Sequence, residues 1–445
     1  MMKIVLPDEV ELIIEDLEKN GHEAYAVGGC VRDSILGFTP KDWDITTSAR
    51  PDEIKKIFPR TIDTGIEHGT VTVLIGKNGF EVTTYRVDGK YKDGRHPESV
   101  EFTPSLLEDL KRRDFTINAM AYNEKNGLID EFGGRLDLKN GIIRSVGDPR
   151  KRFSEDGLRM MRAIRFSARL GFKIDSETYD AIKELHTLIR KISFERIRDE
   201  FMKTITSPNP GKIRDFYLTG LTKEFFPEWD RMEETDQNTI HHLYTVGEHT
   251  IKVMEGVSPD ARLRLAAALH DIGKPDARTT KNGKDHFMGH GAIGEKIAVK
   301  VMKRFKFDNS TIKYVALMVR YHDIRPADSL PEVRRVIHET GKEIYPELFE
   351  LKRADIMAQS SYMRKEKLNL ISNFEKNYNI IINRNEATSV KELAVSGRDL
   401  MDCGVKSGPF LGQVLDYLLD LVMDDPGINN KEKLLTEAKK YIEKH

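Results

Sequence analysis

The fold is decided by the stretch Gly28-Gly29-Cys30-Val31-Arg32-Asp33, which is followed nine residues after Asp33 by Asp42-Trp43-Asp44. The apolar run before the glycine pair, residues 24–27, is typical of a buried strand, and glycine lets a backbone approach a ligand closely. The residues after the pair indicate the first turns of a helix, whose free N–H groups suit a triphosphate. The stretch therefore predicts a strand, a tight turn and a helix that begins at a phosphate site.

The two acids, Asp42 and Asp44, are separated by one residue in a segment that alternates as a strand does. On a strand their side chains would point to the same face, where two carboxylates can hold Mg²⁺ jointly. An isolated pair of this kind is more often a solvated strand edge, but the glycine turn and Arg32 favour a metal and phosphate site. Glu81, in a later strand, either adds a third carboxylate or lies on the surface.

The composition indicates a multidomain chain but identifies no partner. A length of 445 residues exceeds what one hydrophobic core usually serves. Lys+Arg 71 nearly balances Asp+Glu 72, so any positive surface for an anionic polymer must be local. The two cysteines, Cys30 and Cys403, exclude a disulfide framework and a CxxC metal motif, and they fit a reducing cytoplasm. No run of about 18 apolar residues occurs, so no membrane partner is expected.

Local patterns predict further elements of the N-terminal part. Residues 5–20 have the spacing of an amphipathic helix. The runs VTVLI and FEVTTY, between Gly69 and Arg86, predict a hairpin that turns around Asn78-Gly79. Residues 87–103 are rich in glycine and mixed in charge, which predicts a mobile loop whose segment 93–97 contacts substrate.

Basic residues gather in two later segments. Arg112 and Arg113 precede Asp114 and an apolar helical run, where a carboxylate could accept from a ribose hydroxyl while an arginine holds phosphate. Residues 153–169 predict a helix capped by Ser154. Its apolar face would comprise Met160, Met161, Ile164 and Ala168, and its opposite face Arg159, Arg162, Arg165 and Arg169. Glu155 and Asp156 alone cannot neutralise these arginines, so the helix is predicted to meet an anion, with a solvated face as the alternative.

Five motifs in order over residues 24–203 resemble the bacterial (class II) tRNA nucleotidyltransferase and poly(A) polymerase family. They are GGCVRD, KDWDITT, DLKRRDFTINAMAYN, SEDGLRMMRAIRFSARLGF and FERIRDEFMK. The resemblance implies Mg²⁺-dependent addition of C, C and A to tRNA 3′ ends from CTP and ATP, or addition of A alone by an A-adding enzyme or poly(A) polymerase. A complete loop at 87–103 is associated in this family with full CCA addition.

The resemblance also implies roles for individual residues. Asp42 and Asp44 would bind the catalytic Mg²⁺, Gly29, Arg32 and Arg113 the nucleotide, and Asp114 its ribose. Asp156 and Arg159 would read the base, supported by Arg162 and Arg165. The chemistry agrees, because cytosine and adenine both place an amine donor beside a ring-nitrogen acceptor, which matches an aspartate beside an arginine. Such a pair could select CTP and ATP without a nucleic-acid template.

A second resemblance begins after a composition change at residues 208–211. Adjacent His270-Asp271, with other histidines before and after, resembles an HD phosphohydrolase domain and can assemble a divalent metal site. The implied ligands are His249, His270, Asp271 and Asp355 for one ion, with His290 and His322 for a second. His241 and His242 compete with His249, and Asp323 competes with Asp355. Hydrolysis and a structural or RNA-supporting role remain alternatives.

Together these features predict an α+β protein. A polymerase-beta-like nucleotidyltransferase head with a mixed sheet would occupy 1–145, a helical neck for base selection 146–210, a helical body with the HD domain 211–360, and a helical tail 361–445. The tail stretch SGRDLMDCGVKSGPFLGQVLDYLLDLV resembles the family's C-terminal region, which implies tRNA contact, although a packing helix explains it equally well. An HD hydrolase with an RNA-binding N-terminal half, and a non-catalytic RNA-binding protein, are the alternatives of other classes.

Overall fold

A computed structural model describes residues 3–89 and 100–444. The segment 93–97, predicted to contact substrate, lies outside these residues. The chain divides after Asp230 into two compact units. The first carries a mixed seven-stranded sheet with helices, and the second is built almost entirely of helices. The predicted α+β fold, with a sheet-bearing head followed by helices, is therefore confirmed.

The helices of the chain up to the end of the first unit are short to medium in length. They are α1 (Asp8–Lys19), α2 (Gly29–Ile35), α3 (Pro51–Ile57), α4 (Leu106–Lys111), α5 (Gly134–Asn140), α6 (Pro149–Glu155), α7 (Leu158–Leu170), α8 (Ser176–Leu185), α9 (Phe194–Ile205), α10 (Ile213–Leu218), α11 (Thr222–Phe225) and α12 (Pro227–Glu233). The strands are β1 (Ala24–Val27), β2 (Ile45–Thr47), β3 (Thr61–Gly65), β4 (Thr70–Ile75), β5 (Asn78–Thr84), β6 (Arg86–Asp88), β7 (Val100–Phe102), β8 (Ala121–Asn123), β9 (Gly127–Ile129), β10 (Ile142–Ile143) and β11 (Lys173–Ile174).

The second unit continues with helices and one small hairpin. Its elements are α13 (Val246–Gly256), α14 (Ala261–Leu269), α15 (Lys274–Ala277), β12 (Thr279–Lys281), β13 (Lys284–His286), α16 (His290–Arg304), α17 (Asn309–Tyr321), α18 (Leu330–Thr340), α19 (Glu347–Ala358), α20 (Arg364–Asn383), α21 (Gly397–Asp402), α22 (Pro409–Asp424) and α23 (Lys431–Ile442). Short 3₁₀ helices occupy Ile66–His68, Thr116–Asn118, His186–Lys191, Pro210–Lys212, Val390–Glu392 and Pro426–Ile428.

The seven-stranded sheet brings β1 and β2 to its middle, in the order β3-β4-β5-β2-β1-β8-β9. β2 and β5 are parallel, while the other neighbouring pairs are antiparallel. The N–H of Val27 donates to the carbonyl of Asp44 at 2.9 Å, which extends the β1–β2 pairing by one bond. Asp42 and Asp44 thus lie in the extended segment that precedes β2, whereas the sequence predicted them within the strand.

The structure corrects details of the predicted head. The hairpin of β4 and β5 turns at Gly76 and Lys77, and Asn78 already pairs with Ile75 inside the ladder. Gly76 takes a positive φ of 60°, which glycine adopts without strain, so the turn forms there rather than at Asn78-Gly79. The two ends of the predicted loop 87–103 are strands instead, because β6 and β7 pair as an antiparallel ribbon.

The predicted helix over 153–169 is two helices, α6 and α7, which meet at Asp156 and Gly157. Ser154 lies inside α6 and donates its hydroxyl to the carbonyl of Arg150 at 2.8 Å, so it does not cap the helix. Asp148 caps α6 instead, accepting from the N–H of Arg150. The break matters because it places the Asp156 side chain at the start of α7, in the lining of a cavity.

Residues 208–211, where the sequence suggested a boundary, contact α7. The side chain of Asn209 donates to the carbonyl of Ala168 at 2.9 Å, and the compact unit continues through α10 and α11. In the second unit, the C-terminal helices have their own apolar core, which includes Leu400, Leu418 and Leu434. Within the described ranges, none of the helices is both long enough and apolar enough to cross a membrane.

Candidate functional site

The glycine turn after β1 packs closely against the guanidinium of Arg113, which belongs to another motif. Gly28 has a φ of +82°, and a Cβ atom there would lie 3.0 Å from Nη1 of Arg113. Gly28 therefore serves both the turn and the close approach of the guanidinium. Gly29 begins α2 with ordinary space around it, since a Cβ atom there would first meet Nη2 of Arg32 at 3.6 Å.

Three carboxylates gather at the start of β2. Asp42 and Asp44 are exposed side chains, and Glu81 lies on the neighbouring strand β5. Partial burial and the charge of Asp42 raise the pKa of Asp44, while the charge of Arg113 acts to lower it. Burial, followed by the charges of Asp44 and Asp42, raises the pKa of Glu81. Carboxylates that repel one another in this way favour a bound cation, which relieves the repulsion.

Asp109 anchors the two arginines that follow α4. Its carboxylate is fully buried and forms ion pairs with Arg112 at 2.8 Å and Arg113 at 3.3 Å. It also accepts from the hydroxyl of Thr46 in β2 at 3.2 Å. Burial opposes ionisation, but the charges of Arg113 and Arg112 outweigh it and lower the pKa of Asp109. Asp109 thus connects the arginines of this motif to the strand that follows Asp42 and Asp44.

Residues from the later motifs of the first unit line one cavity of about 260 Å³. It is lined by Arg112, Arg113, Asp114, Asp156, Leu158, Arg159, Arg162 and Arg196. Of the residues predicted to bind the nucleotide, it brings together Arg113, Asp114, Asp156, Arg159 and Arg162. The cavity is rich in donors from guanidinium groups, with two carboxylates as acceptors, which suits a ligand that carries phosphate and a polar base edge.

The arginines of α7 are paired with carboxylates from several elements. The pairs are Arg159 with Glu155 at 2.7 Å, Arg162 with Asp114 at 2.5 Å, Arg165 with Glu200 at 2.5 Å and Arg169 with Asp33 at 2.8 Å. The arginines that were predicted to meet an anion are therefore paired with carboxylates of the protein itself. Three of the four carboxylates come from distant parts of the chain. The periodicity of a helix shows which of its residues share a face, but it does not identify distant residues that pack against that face.

Phe166 packs three arginines around its ring, at centroid distances of 5.1 Å for Arg32, 5.5 Å for Arg162 and 4.0 Å for Arg165. Arg32 is only 3% exposed, pairs with Asp33 and donates to the side chain of Asn118. Arg32 and Arg165 are buried, outside the residues that line the cavity. Cation–π contact with Phe166 holds these charges near the site without exposing them.

A second cluster forms in the second unit, where five helices converge. Its possible ligand atoms form two groups, and within each group all the atoms lie within 4.8 Å of one another. One group comprises His249, His270 and Asp355, and the other comprises Asp271, His290 and His322. These are the six residues that the HD resemblance implied. His249 lies in α13, Asp355 in α19, and His290 begins α16, so residues far apart in sequence meet in one place.

Main-chain hydrogen bonds orient three of the histidines. His270, His290 and His322 place Nδ1 at 2.8 Å from the carbonyls of Ala267, Phe287 and Val319, respectively. A carbonyl only accepts, so Nδ1 carries hydrogen and Nε2 points into the cluster. Nε2 of His290 lies 3.0 Å from Nε2 of His322. Two facing ring nitrogens without hydrogen repel each other, and a cation between them removes the repulsion.

Asp271 lies between the two groups and is 1% exposed. Its Oδ2 is 3.2 Å from Nε2 of His270, and its Oδ1 is 3.4 Å from Nε2 of His290. Nζ of Lys274 also contacts Oδ2, at 2.7 Å. One carboxylate with an oxygen toward each group can bridge two divalent ions, so the donor set fits a pair of metals of the borderline type that imidazole prefers.

The structure separates the competing ligands of this cluster. His249 places Nε2 at 2.9 Å from Oδ1 of Asp355. His242 packs edge-on against His249 with ring centroids 5.1 Å apart, and burial lowers its pKa to about 3, but it belongs to neither group. Asp323 belongs to neither group, although it lines an adjacent cavity of about 450 Å³ together with His322 and Asp355. Geometry thus favours His249 and Asp355 over their competitors.

Comparison with known proteins follows the same order along the chain. The Poly A polymerase head domain family matches residues 24–144. A family described as a probable RNA and SrmB-binding site of polymerase A matches 171–233, and one described as tRNA nucleotidyltransferase domain 2, putative, matches 289–438. The CCA-adding enzyme of Ligilactobacillus salivarius is 36% identical over 444 residues, which cover 98% of both chains.

The chain belongs to the CCA-adding enzyme family. It is therefore a nucleotidyltransferase, and the family resemblance of its motifs is confirmed. The CCA-adding enzyme of Levilactobacillus brevis, at 37% identity, covers 97% of this chain and 98% of its own. Among solved structures, the Bacillus stearothermophilus CCA-adding enzyme in complex with CTP matches with a TM-score of 0.71 and 28% identity, over 99% of this chain and 100% of that one.

A second solved structure supports the fold of this CCA-adding family member. The Thermotoga maritima CCA-adding enzyme complexed with tRNA_CCA has a TM-score of 0.62 at 23% identity, covering 99% of this chain and 97% of that one. At this identity the likeness concerns the fold alone. The fold of that structure agrees with the sheet-bearing head and the following helices of this chain.

Several residues of this CCA-adding family member were missed by sequence reasoning. Asp109 has a signal in the sequence, because it precedes Arg112 and Arg113 by three and four residues, the spacing of neighbours on a helix. Arg196 lies in a motif that carried the resemblance, but nothing local indicates its contact with Asp156. Gln359, which donates to both oxygens of Asp355 at 3.2 Å, has only the signal of its spacing, four residues after Asp355.

The Asp114–Arg162 pair yields a prediction about pH. Burial raises the pKa of Asp114, but the ion pair with Arg162 and the hydrogen bond from Asn118 outweigh it and hold the pKa well below its usual range. Such a carboxylate stabilises the fold above its unfolded pKa of about 4, and this contribution is lost as the pH falls. Arg162→Met should therefore destabilise the first unit by about 2 kcal/mol near neutral pH, because a buried charge loses its partner.

The pH dependence distinguishes this ion pair from a packing effect. Urea unfolding of the variant and the unaltered protein, followed from about pH 7 down to about pH 3, should show their difference in unfolding free energy shrinking below about pH 4, as the carboxyl group takes up a proton. Arg150→Met, which removes an exposed arginine from α6, serves as the control and should show little difference at any pH. A difference for Arg162→Met that is constant with pH contradicts the assignment.

Proposed function

We propose that the protein adds C, C and A to tRNA 3′ ends from CTP and ATP, with release of pyrophosphate and with Mg²⁺ held by Asp42 and Asp44. The observation that carries this proposal is the position of Arg113. Its guanidinium contacts the Gly28 turn, interacts with Asp44 and lines the cavity that also contains Asp156 and Arg159. One arginine therefore interacts with the carboxylate pair and lines the cavity of the base-reading pair, as a bound nucleoside triphosphate would require.

The residues divide into groups that contact different parts of the nucleotide. Arg113, beside the start of α2 at Gly29, would hold the triphosphate, because guanidinium and main-chain N–H groups both donate to phosphate oxygens. Asp114 would accept from the ribose hydroxyl, while Arg162 holds its Oδ2 and the N–H of Phe115 and Nδ2 of Asn118 hold its Oδ1. Arg32 and Arg165 would act from behind the site, adding positive charge without direct contact.

Base selection would depend on Asp156 and Arg159. A carboxylate only accepts and a guanidinium only donates, so together they match the amine and ring nitrogen of cytosine or adenine. Uracil and guanine present the opposite order and would place donor against donor. Glu155 and the carbonyls of Arg152 and Arg112 accept from Arg159, which fixes the direction of its remaining donors. No template strand is needed for this choice.

The reaction is an in-line attack of the RNA 3′-hydroxyl on the α-phosphorus. When bound, Mg²⁺ supplies a lower pKa for that hydroxyl and neutralises the charge of the leaving pyrophosphate. Asp42 and Asp44 would hold the metal, and their exposed side chains leave room for the nucleotide and the RNA end. The arginines would neutralise the charge of the triphosphate.

We assign the four predicted segments to this cycle. The head at 1–145 would carry the chemistry, the neck at 146–210 base selection, and the tail at 361–445 contact with tRNA. The body at 211–360 would carry the HD cluster. Because the proposed substrate is tRNA, which is matured in the cytoplasm of bacteria, we place the protein there.

Three tRNA transcripts, ending before the first C, after C and after CC, test the proposal with labelled CTP or ATP and Mg²⁺. All three should be extended to CCA and no further. Extension of only the CC transcript would support the A-adding alternative, and long runs of A on any RNA would support a poly(A) polymerase. If no transcript gains a nucleotide, the proposed function is wrong.

The six-residue cluster supports a second candidate function, metal-dependent phosphoester hydrolysis by the second unit. Its facing Nε2 atoms at 3.0 Å favour bound divalent metal, and the adjacent cavity of about 450 Å³ offers space for a substrate. Lys352, Lys367 and Arg325 line that cavity and would attract a phosphate group. The metal, when bound, would supply an activated water. A structural metal site is the alternative that the experiment in the Discussion separates.

A further inference from the structure

Arg196, in the first turn of α9, makes the closest contact to the proposed base-reading carboxylate. Its Nη2 donates to Oδ2 of Asp156 at 2.8 Å, and its Nη1 lies 3.5 Å from Oδ1. Both side chains are largely buried, with 23% of Arg196 and 15% of Asp156 exposed, and both line the cavity of about 260 Å³. The pair thus lies inside the site rather than on the outer surface.

The other support of Asp156 comes from the main chain. Its Oδ1 accepts from the N–H of Leu158 at 3.0 Å, at the start of α7. One oxygen is therefore held by the backbone, whereas the second is held by Arg196. A single hydrogen bond leaves a carboxylate a wide range of rotation about its Cβ–Cγ bond, and a two-point contact with a planar guanidinium narrows that range.

We propose that Arg196 is a positioning residue for nucleotide selection, because it fixes the plane of the Asp156 carboxylate so that its acceptor direction stays beside the donors of Arg159. This inference rests on the proposed reading of the base by Asp156. A carboxylate oxygen held in the correct direction accepts a hydrogen bond from the amine of cytosine or adenine and so favours these bases. A carboxylate that turns freely makes this hydrogen bond less well and favours them less. Arg196 then contributes to specificity without touching the base.

The position of α9 is secured by other contacts, so the effect of Arg196 can be isolated. Glu200, one turn further along α9, pairs with Arg165 of α7 at 2.5 Å. Ile197 and Phe201 are buried on the same helix. Removing the guanidinium of Arg196 should therefore leave α9 in place and change chiefly the freedom of Asp156.

The experiment compares Arg196→Met with Arg198→Met, which makes the same change on the same helix at a residue paired with its neighbour Asp199. Single-nucleotide incorporation is measured with CTP and UTP on tRNA lacking CCA, and CTP binding is measured separately by calorimetry. For Arg196→Met we expect kcat/KM for CTP to fall by about tenfold or more, mainly through KM, and the preference for CTP over UTP to fall by a similar factor. Arg196→Lys should recover only part of the preference, because an ammonium cannot make the two-point contact. Arg198→Met should keep the normal preference.

A double-mutant cycle with Asp156→Asn tests whether Arg196 acts through Asp156. Asparagine can donate as well as accept, so Asp156→Asn alone should relax the preference for CTP over UTP. Adding Arg196→Met to it should cause little further loss, because the group that Arg196 positions is already altered. Fully additive losses, or an unchanged preference in Arg196→Met while Asp156→Asn relaxes it, overturn the inference. An unchanged preference in Asp156→Asn itself shows instead that the proposed base reading is wrong.

Discussion

Nucleotide addition by the Asp44→Asn variant is expected to fall by about 1000-fold or more, while the protein still folds. Asparagine has nearly the same shape as aspartate but lacks the charge that holds a divalent metal. Loss of a metal position costs several kcal/mol of transition-state stabilisation, and about 1.4 kcal/mol corresponds to each tenfold in rate. Because neighbouring protein atoms and Asp42 raise the pKa of Asp44, removing its charge relieves repulsion and should not lower the stability of the first unit. Asp42→Asn should give a loss of the same order.

Rapid-mixing incorporation of one labelled nucleotide, at saturating CTP and tRNA, measures this loss in the chemical step. Asp52→Asn, an exposed aspartate of α3, is the control and should retain nearly normal rates. Glu81→Gln decides whether the third carboxylate of this region takes part, because a ligand would show a loss comparable to that of Asp44→Asn. A rate for Asp44→Asn within about tenfold of normal contradicts the assignment of the metal site.

Divalent metal binding to the second unit is expected to collapse in the Asp271→Asn variant. Asp271 has one oxygen near His270 and the other near His290, so a neutral amide in its place weakens both groups at once. Metal that binds only the folded protein stabilises it by mass action, so the rise in unfolding temperature on adding Mn²⁺ or Ni²⁺ should largely disappear. Calorimetric titration with the same ions should show loss of high-affinity binding. CCA addition should remain within about twofold of normal, because the change lies in the other unit.

The control for this experiment is His286→Ala, which removes an exposed histidine close in sequence to His290. It should keep normal metal binding, since His286 belongs to neither ligand group. Hydrolysis of a chromogenic phosphodiester is followed in parallel. Metal-dependent hydrolysis that His270→Ala and Asp271→Asn abolish supports the phosphohydrolase, whereas metal binding without hydrolysis supports a structural site. Unchanged metal affinity in Asp271→Asn contradicts the cluster altogether.

Local patterns predicted well where the chemistry is local. The apolar run and the glycine pair around residues 24–33 predicted β1, the turn and α2, because a strand, a positive φ and a helix start each leave a mark within a few residues. Adjacent His270 and Asp271 likewise indicated a cluster of histidines and aspartates, and the structure brings six such residues together. Motif order predicted the family, which the comparisons confirmed.

Charge pairing could not be predicted in the same way. The arginines of α7 were predicted to meet an anion, but the sequence did not identify the carboxylates concerned: Asp33 pairs with Arg169 across 136 residues and Asp114 with Arg162 across 48. Helical periodicity reports which side chains share a face, but it carries no information about the element that packs against that face. An ion pair depends on a separation of a few ångströms, which only the packed structure determines.

The sequence by itself thus determined the family, the kinds of group available for chemistry, and the strand-turn-helix unit that opens the site, because each depends on residue identity and short spacing. The tertiary structure alone decided which groups meet. In the structure Asp109 forms ion pairs with Arg112 and Arg113, and Arg196 forms one with Asp156. His249, rather than His242, contacts Asp355. These outcomes depend on contacts between elements distant in the chain, where a side chain's partner is set by packing rather than by its neighbours in sequence.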